Sequence, residues 1–551
     1  MSKRAWPYGL SLGIGLGAAA FIFGWPVLAG TAAFWDSPHG IIGSSAADMM
    51  SSLSGYDVFV RDQWRWPLLR VEGLGGPGGT NIAYTDSLPL LALVGRGLYR
   101  LTGEAPVLYG LWIAACFMLL TGAMVALVRA LGGRSLGAAV ATALISVSLP
   151  PLLARWGHIT LLAQGLIPLT ILAYLHVVRG MQVWAGLALL MALCIAALLT
   201  FPYLFFMVVP IAFAALLQAA GTRQTGWGIA VLRSGALAAA LLVALIVTGH
   251  LSGDGFADKG FGMFSMNVFS PVVPQVSGLF PGASGMLDAT GGQYDGFAYL
   301  GGGLLLLLVL AAPELRRALP RRVRQHPWFT AVLVGSMLLA VSNEVYAGPY
   351  HLISIPVPDA LAGLFGIVRS SGRLAWIGIY VVAALAIATI ARWRWGGLVL
   401  AVACVLQVVD AGPLRAMIGA SVTANDSTID GAAWRAALPQ VAAVLVDPPF
   451  LCIAEDRNRN AARFAAVEIQ LKAAQSVVPV NSVSSARTRP DCRLPPGRPG
   501  TLYVGIGRAS ELAPLRCAAG VLLTVCHDAL PLATLAALAA TTPIPGSGDG
   551  S

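Results

Sequence analysis

From Pro7 to Trp35 the chain reads PYGLSLGIGLGAAAFIFGWPVLAGTAAFW, a stretch without one charged side chain that follows Met-Ser-Lys3-Arg4. The apolar region of a secretory signal is only about 7–15 residues long, whereas a helix needs roughly 20 apolar residues to cross a bilayer. The stretch therefore reads as an uncleaved first membrane helix with its N-terminus in the cytoplasm. The composition agrees, since 57% of the 551 residues are apolar and 11% are charged. That is less than half of the roughly 25% charge in an average soluble domain. A soluble enzyme is excluded, as are a disordered chain, a coiled coil and a nucleic-acid binder, each of which needs more charge. What remains is a polytopic α-helical membrane protein.

Further apolar stretches fall near residues 107–128, 135–153, 159–178, 183–200, 202–218, 228–249, 298–312, 328–342, 373–391 and 396–410. They predict eleven transmembrane helices in all, with the C-terminus opposite the N-terminus. Leu88 to Leu101 is too short to span, is interrupted by Arg96, and reads as a helix lying at the interface. Under this topology every second turn should be basic. Those turns hold Arg129 and Arg134, then Arg179, Arg223, then Arg316, Arg317, Arg321, Arg322 and Arg324, and finally Arg392 and Arg394. Of the 25 acidic residues only Glu314 joins them, so the net charge of +10 belongs to the cytoplasmic turns. The opposite side carries three long pieces: residues 31–106, residues 250–297 and everything after about 411. Loops of that length are where function concentrates.

Residues 1–413 thus form a transmembrane domain. The character changes from 414 to 540, where apolar runs at Val441–Val446, Phe450–Ala454, Val477–Val483, Thr501–Gly505 and Val521–Val525 alternate with amphipathic helices at Asn460–Gln475 and Ala509–Ala518. This predicts a small C-terminal α/β periplasmic domain, followed by a disordered tail at 541–551. Cys116, Cys194 and Cys404 lie in spans as small apolar side chains. Cys452, Cys492, Cys517 and Cys526 all lie in the tail, where an even number outside the membrane implies two disulfides and an oxidising compartment. Three pairings are possible; a local Cys517–Cys526 bridge beside Cys452–Cys492 is expected. No internal repeat is visible.

Ionisable residues inside spans would mark a coupled transport pathway. Only His176 and Arg233 qualify, both near cytoplasmic ends where they can snorkel. The chemistry-bearing residues crowd instead into the outer loops. The first holds Asp36-Ser-Pro-His39, Ala47-Asp48-Met49, Arg61-Asp62-Gln63-Trp64-Arg65-Trp66-Pro67 and Thr80-Asn81-Ile82-Ala83-Tyr84-Thr85-Asp86-Ser87. Later come Gly157-His158-Ile159-Thr160-Leu161, Phe201-Pro202-Tyr203, Gly291-Gly292-Gln293-Tyr294-Asp295-Gly296-Phe297 and Arg369-Ser370-Ser371-Gly372-Arg373.

In this order, over roughly the first 410 residues, the chain resembles a bacterial multispanning membrane family. That family in turn resembles the GT-C fold glycosyltransferases, which take sugar from a polyprenyl-phosphate carrier at the outer face of the membrane. The resemblance implies a GT-C-like enzyme of the bacterial cytoplasmic (inner) membrane, with membrane lipid and a polyprenyl-phosphate-linked sugar donor as partners and a periplasmic glycan, lipid or protein as acceptor. It passes the role of catalytic base to Asp48, with Asp36 as rival. No cofactor is called for. A divalent metal stays open, because the Asp-Glu or Asp-x-Asp of some GT-C branches is missing from the first loop.

Attack by an acceptor hydroxyl needs a carboxylate to take its proton. The departing phosphate is a stable anion that needs cations rather than an acid, and the planar fork of Arg suits it. Asp48 is expected at the start of a short helix whose dipole favours the ionised form. Asp86 is either a site residue or the start of the next helix. Arg369 and Arg373, four apart, are expected on one helical face, binding either the carrier phosphate or lipid headgroups. Arg155, His158, Lys259, Tyr84 and Asp295 complete the substrate-binding candidates, with structural roles open for His158 and Asp295. Trp64 and Trp66 suit an interfacial belt as well as a sugar platform. A flippase of a lipid-linked substrate and a non-catalytic assembly factor for envelope polysaccharide are the alternative readings.

Overall fold

The structure is a computed structural model that describes residues 6–36, 38, 44–76, 78–222, 224–252, 260–283, 288–424, 427–453, 459–486, 491–507 and 515–542. All eleven apolar stretches contain helix, but length and composition qualify fewer of them to cross a membrane. Seven helices do so among the described residues: Trp6–Phe23, Tyr109–Ala130, Ile159–Val178, Val183–Thr200, Pro202–Gly221, Trp227–Thr248 and Ser371–Ile390. Gly396–Asp410 with Gly412–Thr423, bent by 45°, makes an eighth if the pair is one span. The expectation of eleven is corrected to seven or eight. At about 1.5 Å per residue, the 12 residues of Leu136–Val147 fall short of a hydrocarbon core roughly 30 Å thick. Pro327–Val341 has 15 residues, and Gly302–Gln325 is apolar only in its first half, its second carrying Glu314 and the five arginines from Arg316 to Arg324. The chain is a polytopic membrane protein with a small C-terminal sheet.

It divides into two compact bodies, the first made of residues 1–28, 109–244 and 257–419. Within it the first helix buries Ser11, Gly15 and Ala19 in a stripe four residues apart. A Cβ on Gly15 would stand 2.7 Å from the Phe117 carbonyl, so the Tyr109–Ala130 helix can approach only because that position is bare, as in membrane packing generally. One end of this body gathers the basic turns. Arg179 donates to the Ala130 carbonyl at 3.1 Å, Arg392 to that of Leu131 at 3.4 Å, Gln218 to that of Gln325 at 3.0 Å, and Gln224 to that of Val178. Arg223 lies outside the described residues. Arg233 does not snorkel: its side chain is 1% exposed and packs beside Gly186. Asp410, a buried carboxylate closing the Gly396–Asp410 helix, escaped the sequence reading. It accepts from the Tyr299 hydroxyl at 2.8 Å and the Gly302 amide at 2.7 Å.

The second body takes in residues 29–108, 245–256 and 420–551. The first outer loop therefore folds with the tail, although the linear division placed it with residues 1–413. The tail sheet has the order Ala443–Asp447, Thr501–Ile506, Leu523–His527, Arg516–Ala519. Its first pair is parallel and the other two are antiparallel. Arg459–Gln475 is helical as expected. Three expectations fail. Phe450–Cys452 is a single 3-10 turn, and of Val477–Val483 only Val480 pairs, bridging Leu74 and Val444. Ala509–Ala518 is not a helix where described: Arg516–Ala519 is an edge strand, because pairing with Leu523–His527 outweighs an amphipathic pattern. Residues 508–514 lie outside the described residues. Both disulfides form, Cys452–Cys492 with Cα atoms 5.6 Å apart and Cys517–Cys526 between directly opposed strand positions. Thr541 pairs with Ile429; residues 543–551, the bulk of the expected disordered tail, are outside the description.

Candidate functional site

In the second body the TNIAYTDS segment is held at several points. Asn81 accepts from the Ala83 amide at 2.9 Å and donates to the Thr248 carbonyl at 2.8 Å. The Tyr84 hydroxyl lies 3.1 and 3.2 Å from the carbonyls of Gly249 and His250, which makes Tyr84 an anchor of this loop. The chain then turns through two left-handed residues, Asp86 (φ 55°) and Leu88 (φ 48°). For residues with a Cβ this conformation costs about 1–3 kcal/mol each and clusters where geometry serves function. The turn is fastened by the Thr85 and Ser87 hydroxyls, 2.7 Å apart. Asp86 does not start the next helix: the capping position is Leu88, followed by Pro89.

Asp48 stands on the helix Ser44–Arg61. This helix has 18 residues, so it is not short, and Asp48 lies past its first turn, where the dipole has faded. One turn on, along the same face, Ser52 donates to the Asp86 carbonyl at 2.7 Å and Ser51 to the Ser484 carbonyl at 2.5 Å. Ala486 in turn donates to the Tyr84 carbonyl at 2.8 Å. The half-buried Asp48 and Asp86 thus belong to one helix face, its neighbouring strained turn and a strap from the tail. Asp36 is elsewhere in this body and exposed. Its carboxylate faces Arg435 at 3.5 Å and its carbonyl accepts from Lys472 at 2.7 Å.

Sequence reasoning passed over Asp57. It pairs with Arg61 at 2.9 Å, yet burial pushes its carboxyl above the usual range, Asp36 adds to the rise, and Arg61 only offsets part of it. The i,i+4 spacing to Arg61 was the available signal. Arg96 is enclosed in the Pro89–Thr102 helix, its guanidinium 4.0 Å from the Trp64 ring centre and 4.4 Å from that of Phe59. Trp64 is therefore engaged by an arginine, while Trp66 remains exposed.

In the first body three candidates meet. Arg155 reaches Asp295 at 2.5 Å and Arg373 reaches the same oxygen at 2.9 Å, all three buried. Burial alone would raise the Asp295 carboxyl, but Arg373 and Arg155 together hold it well below the carboxylate range, and His158 contributes. Arg373 also lies 4.8 Å from the Tyr203 ring centre. The meeting depends on bare backbone: a Cβ on Gly372 would fall 2.5 Å from the Gly296 Cα, so the GGQYDGF and RSSGR turns touch. Two guanidiniums share one carboxylate oxygen. Among the described residues, Arg155 Nε, Asp295 Oδ2 and Ser371 Oγ are buried and find no hydrogen-bond partner.

Arg369 and Arg373 do not share a helical face. The chain between them is not helical, 3-10 turns beginning only at Ser371, and Arg369 lies instead 5.6 Å from the Phe264 ring centre. Lys259 is outside the described residues. Among the described residues no group of three or more His, Cys, Asp and Glu is placed to hold a metal ion.

A family model described as a domain of unknown function, DUF6311, matches residues 12–412. The chain belongs to the DUF6311 family. No curated protein and no solved structure matches it. The DUF6311 match takes in the Asp48 helix, the Asp86 turn and the Arg155–Asp295–Arg373 cluster, and ends before the disulfide-bonded tail.

Proposed function

We propose that this chain is a GT-C-like membrane glycosyltransferase that moves a sugar from a polyprenyl-phosphate donor to a periplasmic glycan, lipid or protein. The observation that carries the reading is the Ser52–Asp86 contact, which sets a strained acidic turn against the helix face bearing Asp48. Asp48 takes the acceptor proton, and Asp86 supports it or replaces it. Within the first body, Arg155 and Arg373 meet at Asp295, and the planar guanidinium fork suits a phosphate group.

The membrane is the bacterial cytoplasmic membrane, with the gathered basic turns on its inner side. The N-terminus is cytoplasmic and the disulfide-bonded body is periplasmic. A topology reporter fused after Pro413 should register periplasm; a cytoplasmic signal there removes the tail from the site. The decisive experiment compares surface glycans of a deletion strain carrying either wild-type protein or Asp48→Asn, by mass spectrometry. The variant should insert normally and fail to restore the missing sugar. Full restoration moves the assignment to Asp86 and then Asp36. A flippase is the second reading, because a buried ion cluster among apolar helices is also what transport pathways use. Loss of lipid-linked intermediate at the outer face, with Asp48→Asn active, would select it.

A further inference from the structure

The helical body holds a cavity that the proposed chemistry does not use. It lies at the end where the basic turns gather, has a volume of about 460 Å³, and so falls within the roughly 300–1,000 Å³ of small-ligand sites. Leu127, Ile171, Leu333 and Leu385 give it aliphatic walls, and the exposed Arg321 and half-buried Arg322 also line it. Inside the lining the Tyr174 hydroxyl and His326 Nδ1 are 2.8 Å apart, with Phe329 packed on the Tyr174 ring.

The charges around this cavity are of one sign. Burial and the neighbouring Arg392 both lower the pKa of the Arg322 guanidinium. Burial, Arg322 and Arg179 hold His326 below its ordinary value. Glu314, the acid of this end, is engaged by the Trp393 indole at 2.7 Å. Among the described residues no carboxylate lies within ion-pair distance of Arg321 or Arg322. An apolar chamber beside uncompensated arginines matches a molecule that is greasy at one end and anionic at the other. Free phosphate would leave the chamber unfilled, and a zwitterionic lipid would gain less from the arginines.

We propose that this cavity binds one anionic phospholipid of the surrounding leaflet, its phosphate on Arg321 and Arg322 and one acyl chain among the leucines. Paired forks on a phosphate are the geometry Arg favours, and basic pockets between membrane helices are where anionic headgroups collect. The bound lipid offsets the repulsion between Arg322 and Arg392. The site stands whether or not the glycosyltransferase reading holds.

The test is native mass spectrometry of the full chain in detergent, offered phosphatidylglycerol, phosphatidylcholine, a polyprenyl phosphate or inorganic phosphate. Phosphatidylglycerol should be retained roughly tenfold or more over phosphatidylcholine. Arg321→Gln with Arg322→Gln, both lining the cavity, should abolish the preference, and Ala318→Trp should displace the lipid while leaving the arginines in place. Equal retention of the two phospholipids, a preference unchanged in the double variant, stabilisation by inorganic phosphate equal to that by phosphatidylglycerol, or tighter retention of the polyprenyl phosphate would each overturn it.

Discussion

Asp57 and Asp295 are both aspartates paired to arginine, and their surroundings push them in opposite directions. Asp57, in the second body, has one partner a turn further along its own helix, and burial wins, so the proton is held more tightly than usual. Asp295, in the first body, is also buried, but guanidiniums from two distant stretches converge on it and its carboxyl drops well below the usual range. Burial is the largest influence in both, and the number of cations brought in by tertiary folding decides the sign. Asp295 is thereby fixed as an anion at neutral pH and is excluded as a proton acceptor.

The largest expected effect comes from removing the shared anion. Asp295→Ala removes the carboxylate to which the buried Arg155 and Arg373 are paired, and breaking a buried ion pair in this way costs about 3–5 kcal/mol. Thermal unfolding in detergent, followed by hydrogen exchange of peptides covering 291–297, should show the loss in that body. A change under about 1 kcal/mol would mean that the cluster is hydrated and the contrast with Asp57 is empty.

Next in size is the covalent contribution to the second body. Cys452→Ser with Cys492→Ser opens a bridge across a sequence separation of 40 and should cost about 2–4 kcal/mol. The loss should be read as faster proteolysis of the Arg459–Gln475 helix, with the transmembrane helices unchanged. If the membrane helices melt together with the tail, the two bodies are not independently stable and region-by-region comparison fails.

What the sequence made legible follows the same division between local and distant interactions. Apolar runs and charge alternation reveal helices and their basic turns because each is a property of a short window. The count of eleven overshot because a window reports composition, whereas crossing also needs length, which Leu136–Val147 and Pro327–Val341 lack. The two disulfides follow from cysteine number and place, yet the end of the amphipathic pattern at Ala509–Ala518 lies in the strand Arg516–Ala519, because its partner strand supplies the order. The Arg155–Asp295–Arg373 cluster joins residues 140 and 78 positions apart, a distance over which one sequence carries no pairing signal. Asp86 adopts a left-handed turn without the glycine that would have announced it.

The smallest effect is also the one that tests the comparison most directly, because it predicts a sign. A carboxyl whose folded pKa is raised, as for Asp57, favours the folded state below the ordinary aspartate value of about 3.9. That advantage is lost as pH rises through the raised folded value. A carboxyl whose folded pKa is depressed, as for Asp295, contributes stability that is present above about 3.9 and is lost only as pH falls toward the folded value. Stability near the Ser44–Arg61 helix should therefore decline as pH rises above about 4, while stability near residues 291–297 should hold there and decline in stronger acid. Asp57→Asn removes the ionisable group and should flatten the first profile without touching the second. Hydrogen exchange of the two regions across the acid range, in wild type and variant, reads both at once. Parallel profiles, or a variant in which the Ser44–Arg61 helix keeps its pH dependence, would show that a single local arginine is enough to hold Asp57 as an anion and that the number of converging cations is not what separates the two sites.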